Sequence, residues 1–217
     1  MILSGLFLFF SIQFVCFSPF HIIGMKVAAL NIDKQMLRIQ MLQRRAALSR
    51  DELKAISDAI CGYLEIWLSS QKITEVFTYI PVRGEVDLRA LKQRLPQVAF
   101  ALPLAGDKQM NFFHWYDEDP LKTGRFGIPE PTILRSPMLP NQSTAILVPC
   151  LAASLLGVRL GYGGGFFDRY LARYNAVTVG VLSDAFVATD LPREPHDRLL
   201  DWLVTDSGIK AVPVTSR

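Results

Sequence analysis

Gly157–Leu171 reads GVRLGYGGGFFDRYL, and the organisation of the chain turns on this stretch. It carries Gly157, Gly161, Gly163, Gly164 and Gly165, with Arg159, Arg169 and Asp168, and it closes on Tyr170-Leu171, where a helix can continue. Glycine this dense suits neither helix nor strand. Each one adopts positive φ cheaply and lets a ligand approach the main chain. Successive bare N–H groups in such a turn form a concave anion site, and a following helix adds its positive end. An arginine at the entry and an acid at the exit fit a triphosphate with its metal. The stretch reads as a phosphate cradle, although the glycine count alone is equally compatible with a surface loop joining two elements.

Working outward, Ala145 to Val148 reads as a buried strand ended by Pro149, and a helix is expected from Gly165 to Arg173. Val177–Leu182 and Trp202–Thr205 read as strands, as do Glu75–Ile80, Val98–Leu102 and an antiparallel Met110–Tyr116. Ile32 to Ala47 has helical spacing, with Lys34, Arg38 and Arg45 on one face, a basic stripe whose ordinary reading is a solvated surface. Ser49-Arg50-Asp51-Glu52 has the form of a capping box and predicts a helix from about Arg50 to Ser69. Asp87 is expected to cap a short helix ending near Leu95. Asp117–Pro140 is loop-like, with Pro120, Gly124, Gly127, Pro129, Pro131, Pro137 and Pro140, and a loop that long is more often functional than idle. Alternating strands and helices imply a mostly parallel sheet covered on both faces, in one α/β domain. Ligands of such sheets sit beyond the strands' carboxyl ends, which brings Glu85 and the glycine stretch toward one cleft.

The common phosphate motifs are absent. A Walker A loop would need Lys-Ser or Lys-Thr after these glycines, and the dinucleotide fingerprint fails because position 166 is Phe166. There is no GxSxG elbow or HExxH. The 217 residues are 50% hydrophobic and carry a net charge of +3, enough for one domain with a sizeable core and too little to argue for nucleic acid. Cys16, Cys61 and Cys150 are scattered, which speaks against a disulfide framework or zinc site and for a reducing compartment. Met1–Gly24 is apolar and lacks Lys, Arg, Asp and Glu. It lacks the positive start of a secretory signal, and its length would permit a membrane span. We take residues 1–24 as an extension outside the fold, with a membrane anchor or cleaved signal as alternatives, and residues 25–217 as the domain.

These segments together resemble the 5-formyltetrahydrofolate cyclo-ligase (methenyltetrahydrofolate synthetase) family. The matching words are Lys34-Gln35-Met36-Leu37-Arg38 with Arg44-Arg45; Gly84-Glu85-Val86-Asp87; Phe126-Gly127-Ile128-Pro129-Glu130-Pro131; Val148-Pro149; and RLGYGGGFFDRYL from Arg159 to Leu171. They fall in the family's order over residues 34–205. The resemblance implies a three-layer α/β/α sandwich and an ATP- and magnesium-dependent closure of 5-formyltetrahydrofolate to 5,10-methenyltetrahydrofolate, with release of ADP and phosphate. It implies that Lys34 and Arg38 meet ATP phosphates and that Arg159, Leu160, Gly161, Tyr162, Gly163, Gly164, Gly165, Phe166 and Phe167 form the ATP loop. Lys34 and Arg159 would be the catalytic cations. By the same resemblance Asp168 and Asp197 are magnesium ligands, Glu85 grips the pterin edge, Ile80 walls that pocket and Phe126 stacks on the ring. The resemblance implies small-molecule partners, folate and ATP, and we expect a cytoplasmic monomer.

Each assignment has a plainer competitor. Asp168 could be a first-turn helix acid, Asp197 a surface partner of Arg193 or Arg198, Phe126 a plug under a long loop, Glu85 a dipole partner and His196 an ordinary loop residue. The chain also departs from the family pattern. Cys150-Leu151-Ala152-Ala153-Ser154 stands where the family has Gly, Leu, Ala, Phe and Asp, and Phe167 replaces a Tyr, as Phe166 loses a similar hydroxyl. These departures motivate a second expectation, a non-catalytic folate- or nucleotide-binding paralogue with a regulatory role.

Overall fold

The computed structural model describes residues 34–116, 118–124, 127–133 and 135–214; Phe126 and residues 1–24 lie outside them. Helix α1 spans residues 34–46, followed by α2 (Arg50–Ser70), β1 (Glu75–Phe77), α3 (Ala90–Arg94), β2 (Ala99–Ala105) and β3 (Met110–His114). The region expected to be loop contains a small hairpin of β4 (Leu121–Thr123) and β5 (Pro129–Pro131). Then come β6 (Thr144–Pro149), β7 (Ala152–Ser154), β8 (Arg159–Leu160) and α4 (Phe166–Leu171). The chain finishes with β9 (Val177–Val181), a 3-10 turn (Asp184–Phe186), β10 (Val187–Ala188), β11 (Trp202–Thr205) and β12 (Gly208–Ala211).

The main sheet has seven strands in the order β12-β11-β9-β6-β1-β2-β3. Its inner pairings, β11 with β9, β9 with β6, β6 with β1 and β1 with β2, are parallel. Only the edge strands β12 and β3 run antiparallel. The apolar run of β6 shows why both faces are covered. Ala145 and Leu147 join α2 and α3 in one core, whereas Ile146 and Val148 join Tyr170 and Leu171 of α4 in the other. Successive strand side chains point to opposite faces, so a strand buried on both sides has no polar alternation. A second sheet, β10-β7-β8, packs with Leu37, Met41 and Leu42 of α1 in a third cluster. The result is the expected α/β/α layering.

Local differences from the sequence expectations have physical causes. Strand β2 runs through Pro103 rather than stopping before it. Only Ala99–Ala101 pair with β1, while Pro103 pairs with Phe112 on the β3 side, so its missing N–H costs no ladder bond. Asp87 does not cap α3, whose N-cap is Arg89 without a side-chain bond; its carboxylate instead accepts from the backbone and guanidinium of Arg89. Helix α4 is only six residues long, so its dipole adds little to the glycine stretch. The basic stripe is not a solvated face, because Lys34 and Arg45 are buried. Among the described residues no helix is long and apolar enough to cross a membrane.

The start of α2 is fixed as its sequence demands. Ser49 Oγ accepts from the Glu52 amide at 3.2 Å, and Glu52 Oε2 accepts from the Ser49 amide at 2.8 Å, so two orphan donors are satisfied reciprocally. Ser49→Ala is expected to lower stability by about 1 kcal/mol, read as a shift in the urea midpoint. An unmoved midpoint would mean that packing alone holds this end of the helix.

Candidate active site

In the sheet order, β2 is added on one side of β1 and β6 on the other, so the direction of winding reverses between β1 and β6. Their carboxyl ends diverge there and leave a crevice, the usual place for a ligand in an open parallel sheet. Tyr79 to Glu85 leave the end of β1, and Pro149-Cys150 leave the end of β6. The β7–β8 turn then carries the chain back to deliver Gly161–Gly165 at the mouth. A cavity of about 450 Å³ occupies this position, a size suited to a small-molecule site. Its lining includes Lys34, Arg38, Ile80, Glu85, Arg159, Asp168 and Asp197, together with Leu160, Gly161, Tyr162, Gly163, Gly164, Gly165, Phe166 and Phe167. The structure thus gathers onto one cavity every described residue to which the resemblance gives a site role.

At one end the glycine loop is shaped by arginines. Gly163 and Gly165 have φ of +93° and +64°, conformations that side chains resist. Arg38 Nε donates to the Gly161 carbonyl at 2.9 Å, and Arg169 donates through one NH2 group to the Gly164 carbonyl at 2.9 Å. Arg159 is buried and bridges Asp168 at 2.5 Å while donating to the Arg198 carbonyl at 2.9 Å. Phe166 lies under the Arg169 guanidinium, and Phe167 meets the buried Phe112 edge-on.

Lys34 is buried where α1 meets the loop after β10. Its ammonium lies 2.7 Å from Asp197 and 3.3 Å from Glu194. Asp197 is thus paired with a cation 163 positions away in sequence. Burial by itself would raise the Asp197 pKa, but the Lys34 ammonium and the Glu194 amide outweigh it and hold the carboxyl below its ordinary range. Glu194, which sequence reasoning missed, offers an oxygen within 4.8 Å of ligand atoms of Asp197 and His196. The His196 side chain is 72% exposed and lies 3.1 Å from Glu194.

The other end is apolar with buried acids. Glu85 is 6% exposed and accepts from the Val82 amide at 2.9 Å. Burial raises its pKa, against the opposing pull of the Val82 amide, the Tyr162 hydroxyl and the Arg45 and Arg83 charges. Arg83 reaches this turn with a positive φ of 51°, an unusual conformation for a residue with a side chain, and its guanidinium lies over the Tyr162 ring. Glu130 of β5 is a second buried acid on the cavity, also missed from the sequence. Gly124 is what admits it, since a Cβ there would fall 2.1 Å from the Glu130 carboxylate. No cysteine supplies a nucleophile here among the described residues: burial pushes Cys150 and Cys61 each up to about 11, so both stay as thiols at neutral pH. At the departure from the family pattern, Ser154 is buried and its Oγ has no hydrogen-bond partner among the described residues.

A model of the 5-formyltetrahydrofolate cyclo-ligase family matches residues 31–206. The 5-formyltetrahydrofolate cyclo-ligase of Mycolicibacterium smegmatis is 32% identical over 187 residues, covering 79% of this chain and 93% of the relative. The enzyme of the same name from Escherichia coli K12 is 28% identical, covering 77% and 97%. Among solved structures, the Aquifex aeolicus 5,10-methenyltetrahydrofolate synthetase aligns with a TM-score of 0.73 at 31% identity, covering 82% of this chain and 92% of that one. The Mycoplasma pneumoniae 5,10-methenyltetrahydrofolate synthetase aligns with a TM-score of 0.67 at 25% identity, covering 80% and 99%. With the family matched across most of its length and the fold shared, the chain is an enzyme of the 5-formyltetrahydrofolate cyclo-ligase family.

Proposed function

We propose that the protein closes 5-formyltetrahydrofolate to 5,10-methenyltetrahydrofolate at the expense of ATP, with magnesium, releasing ADP and phosphate. The supporting observation is that one cavity has two chemically distinct ends, a cationic and amide-rich end at Lys34, Arg38, Arg159 and the glycine loop, and an apolar, acid-bearing end at Ile80, Glu85 and Glu130. The first suits a polyphosphate. The second suits a pterin, whose guanidine-like edge offers paired N–H donors to a carboxylate. Phe126 stacking on that ring belongs to the same proposal.

An amide carbonyl is a poor electrophile, so its oxygen must first become a leaving group. The formyl oxygen attacks the γ-phosphorus, forming a P–O bond as the bond to the ADP oxygen breaks. The folate N10 then adds to the formyl carbon and gives up its proton. Cleavage of the C–O bond expels phosphate and leaves the N5–C–N10 methenyl cation. The chain's work is positioning and charge stabilisation. Glycine-loop amides hold the phosphate chain, and Lys34 and Arg159 face the charge that develops on the moving phosphoryl group.

The acids fit a hard cation. Asp168 and Asp197 present oxygens to the cavity, with Glu194 beside Asp197, and oxygen donors completed by water and phosphate are how Mg²⁺ is ordinarily held. Bound there, the ion would neutralise charge on the phosphate chain. Each acid is now paired with a cation assigned to the phosphates, Asp168 with Arg159 and Asp197 with Lys34. Phosphate entering the loop would draw Lys34 and Arg159 toward itself and release both carboxylates. A binding-only role is the second reading, favoured by the orphaned Ser154 hydroxyl and by the missing hydroxyl at Phe167.

The near-ultraviolet absorbance of the methenyl product, followed with full-length protein, 5-formyltetrahydrofolate, ATP and Mg²⁺, separates the two: product is expected, whereas binding of both ligands without product would establish the second reading. Arg159→Ala and Asp168→Ala are each expected to lower kcat by about a hundredfold, and His196→Ala to have little effect. Full turnover in Asp168→Ala would remove the metal assignment. In Lys34→Met, Asp197 loses the cation that stabilises its ionised form, so its NMR titration should move upward from below the ordinary 3.8. The stability that this pair contributes is present above the unfolded carboxyl pKa and lost as pH falls through the folded one; the variant should lack that loss.

A further inference from the structure

Glu130 has no task in the scheme above, yet like Glu85 it is a buried acid on the cavity wall, 6% exposed. It stands on β5, in the short hairpin laid against β2, and the lining around it is apolar, with Pro103, Ala105, Met110 and Ile128. Glu85 has the Val82 amide to accept from. Glu130 has no such support: among the described residues no hydrogen bond or ion pair engages its carboxylate. Lys122, opposite it in the hairpin register, is exposed and makes no ion pair with it. Nor does Glu130 belong to a cluster of metal-ligating groups among the described residues. A carboxylate is taken out of water only at a cost unless a partner meets it. An unmet one on the wall of a ligand cavity points to a donor that arrives with the ligand.

The place of this carboxylate is kept open by Gly124. A Cβ there would lie 2.1 Å from Glu130 Oε2 and 2.5 Å from Oε1. Gly124 is not among the glycines with positive φ, so its bare Cα supplies room and not conformational freedom. Its amide is already given to the Ile128 carbonyl at 2.8 Å. The acid is therefore seated by shape, with no donor from the residue that seats it.

The chemistry of the ring identifies the missing donor. The pterin of 5-formyltetrahydrofolate carries N–H donors at its 2-amino group, N3 and N8. A fork onto Glu85 uses the first two. N5 and N8 occupy opposite corners of the reduced ring, so an N5 formyl turned to the phosphates directs N8–H to the acid-bearing end. N10–H lies on the N5 side, because N10 closes onto the formyl carbon. One ring donor and one buried acid are left over. We propose that Glu130 is a specificity-determining residue, accepting N8–H and so selecting the reduced pterin. This rests on the reading of the cavity as a folate site with Glu85 on the pterin edge. A fully oxidised pterin has a lone pair at N8 in place of the hydrogen, and it would leave the buried acid unpaired, the situation in which a polar site rejects an analogue most strongly.

The test uses two ligands that share the guanidine-like edge and the tail but differ at this corner. Dihydrofolate reduced at positions 7 and 8 keeps N8–H, and folic acid lacks it. Their dissociation constants are measured on full-length protein by competition with 5-formyltetrahydrofolate. The native protein should bind dihydrofolate about tenfold more tightly, as expected for a hydrogen bond to a charged acceptor. Glu130→Gln should bring the ratio near unity, because a carboxamide accepts from N8–H through its oxygen and donates to a bare N8 through its nitrogen. Gly124→Ala keeps the carboxylate but fills its seat, and should lower the ratio too. Dihydrofolate binding no better than folic acid in the native protein, or a ratio unchanged in either variant, overturns the proposal. A purely structural acid would give that unchanged ratio with a lowered urea midpoint, whereas removing an unpaired buried charge should not lower it. Glu85→Gln separates the two readings, since it should weaken both ligands alike. If it leaves both affinities intact, the pterin-edge reading fails and this inference with it. If it weakens them while Glu130→Gln leaves the ratio unmoved, the N8 assignment alone is wrong.

Discussion

A loop of bare backbone has no side chains with which to hold its own shape, and the Gly161–Gly165 turn depends on guanidinium groups brought from elsewhere. Arg38 takes the carbonyl at Gly161, Arg169 takes the one at Gly164, and Arg45 takes the hydroxyl between them. Conformational entropy is largest for glycine, so an unsupported turn of this composition would sample many shapes. The arginines supply the order that the glycines lack, and the rest of the site is arranged around that exchange.

Charge is handled the same way throughout. Lys34 with Asp197 and Glu194, and Arg159 with Asp168, place cations beside acids at a cavity wall where neither would be tolerated alone. The two ion pairs are separately anchored, Arg159 on the Arg198 carbonyl and Asp197 on the Glu194 amide. The Arg198 amide also donates to Asp168 at 3.3 Å. Residues 194–198 therefore act as a common backing for both acids, which is how a segment with no regular structure can hold two carboxylates at one edge.

Much of this was legible in the chain. The capping box at Ser49, the two-faced apolar run of β6 and the glycine stretch each reflect a local rule that tertiary context had no cause to override. What escaped depended on distant partners or on very short elements. Strands β7, β8 and β10 are two or three residues long, too short to show any period. Arg45 stands in a helical stripe that reads as solvated, and the partners that make its burial tolerable, the Cys150 carbonyl and the Tyr162 hydroxyl, lie 105 and 117 positions away. Glu194 and Glu130 sit among prolines and glycines, where no spacing distinguishes a cavity-facing acid from a surface one. Asp197 was identified by resemblance, but its partner Lys34 lies 163 positions off, beyond any local pattern.

Arg169 also has a consequence for how the sequence can drift. Besides the glycine turn, its Nε reaches across 61 positions to the carbonyl of Lys108, at the tip of the β2–β3 hairpin. That anchor engages main chain at both ends, so it is indifferent to which side chains the hairpin tip displays. Descendants of this gene can change the Lys108 side chain while keeping the tip stitched to the glycine turn, provided the stitching arginine itself is retained.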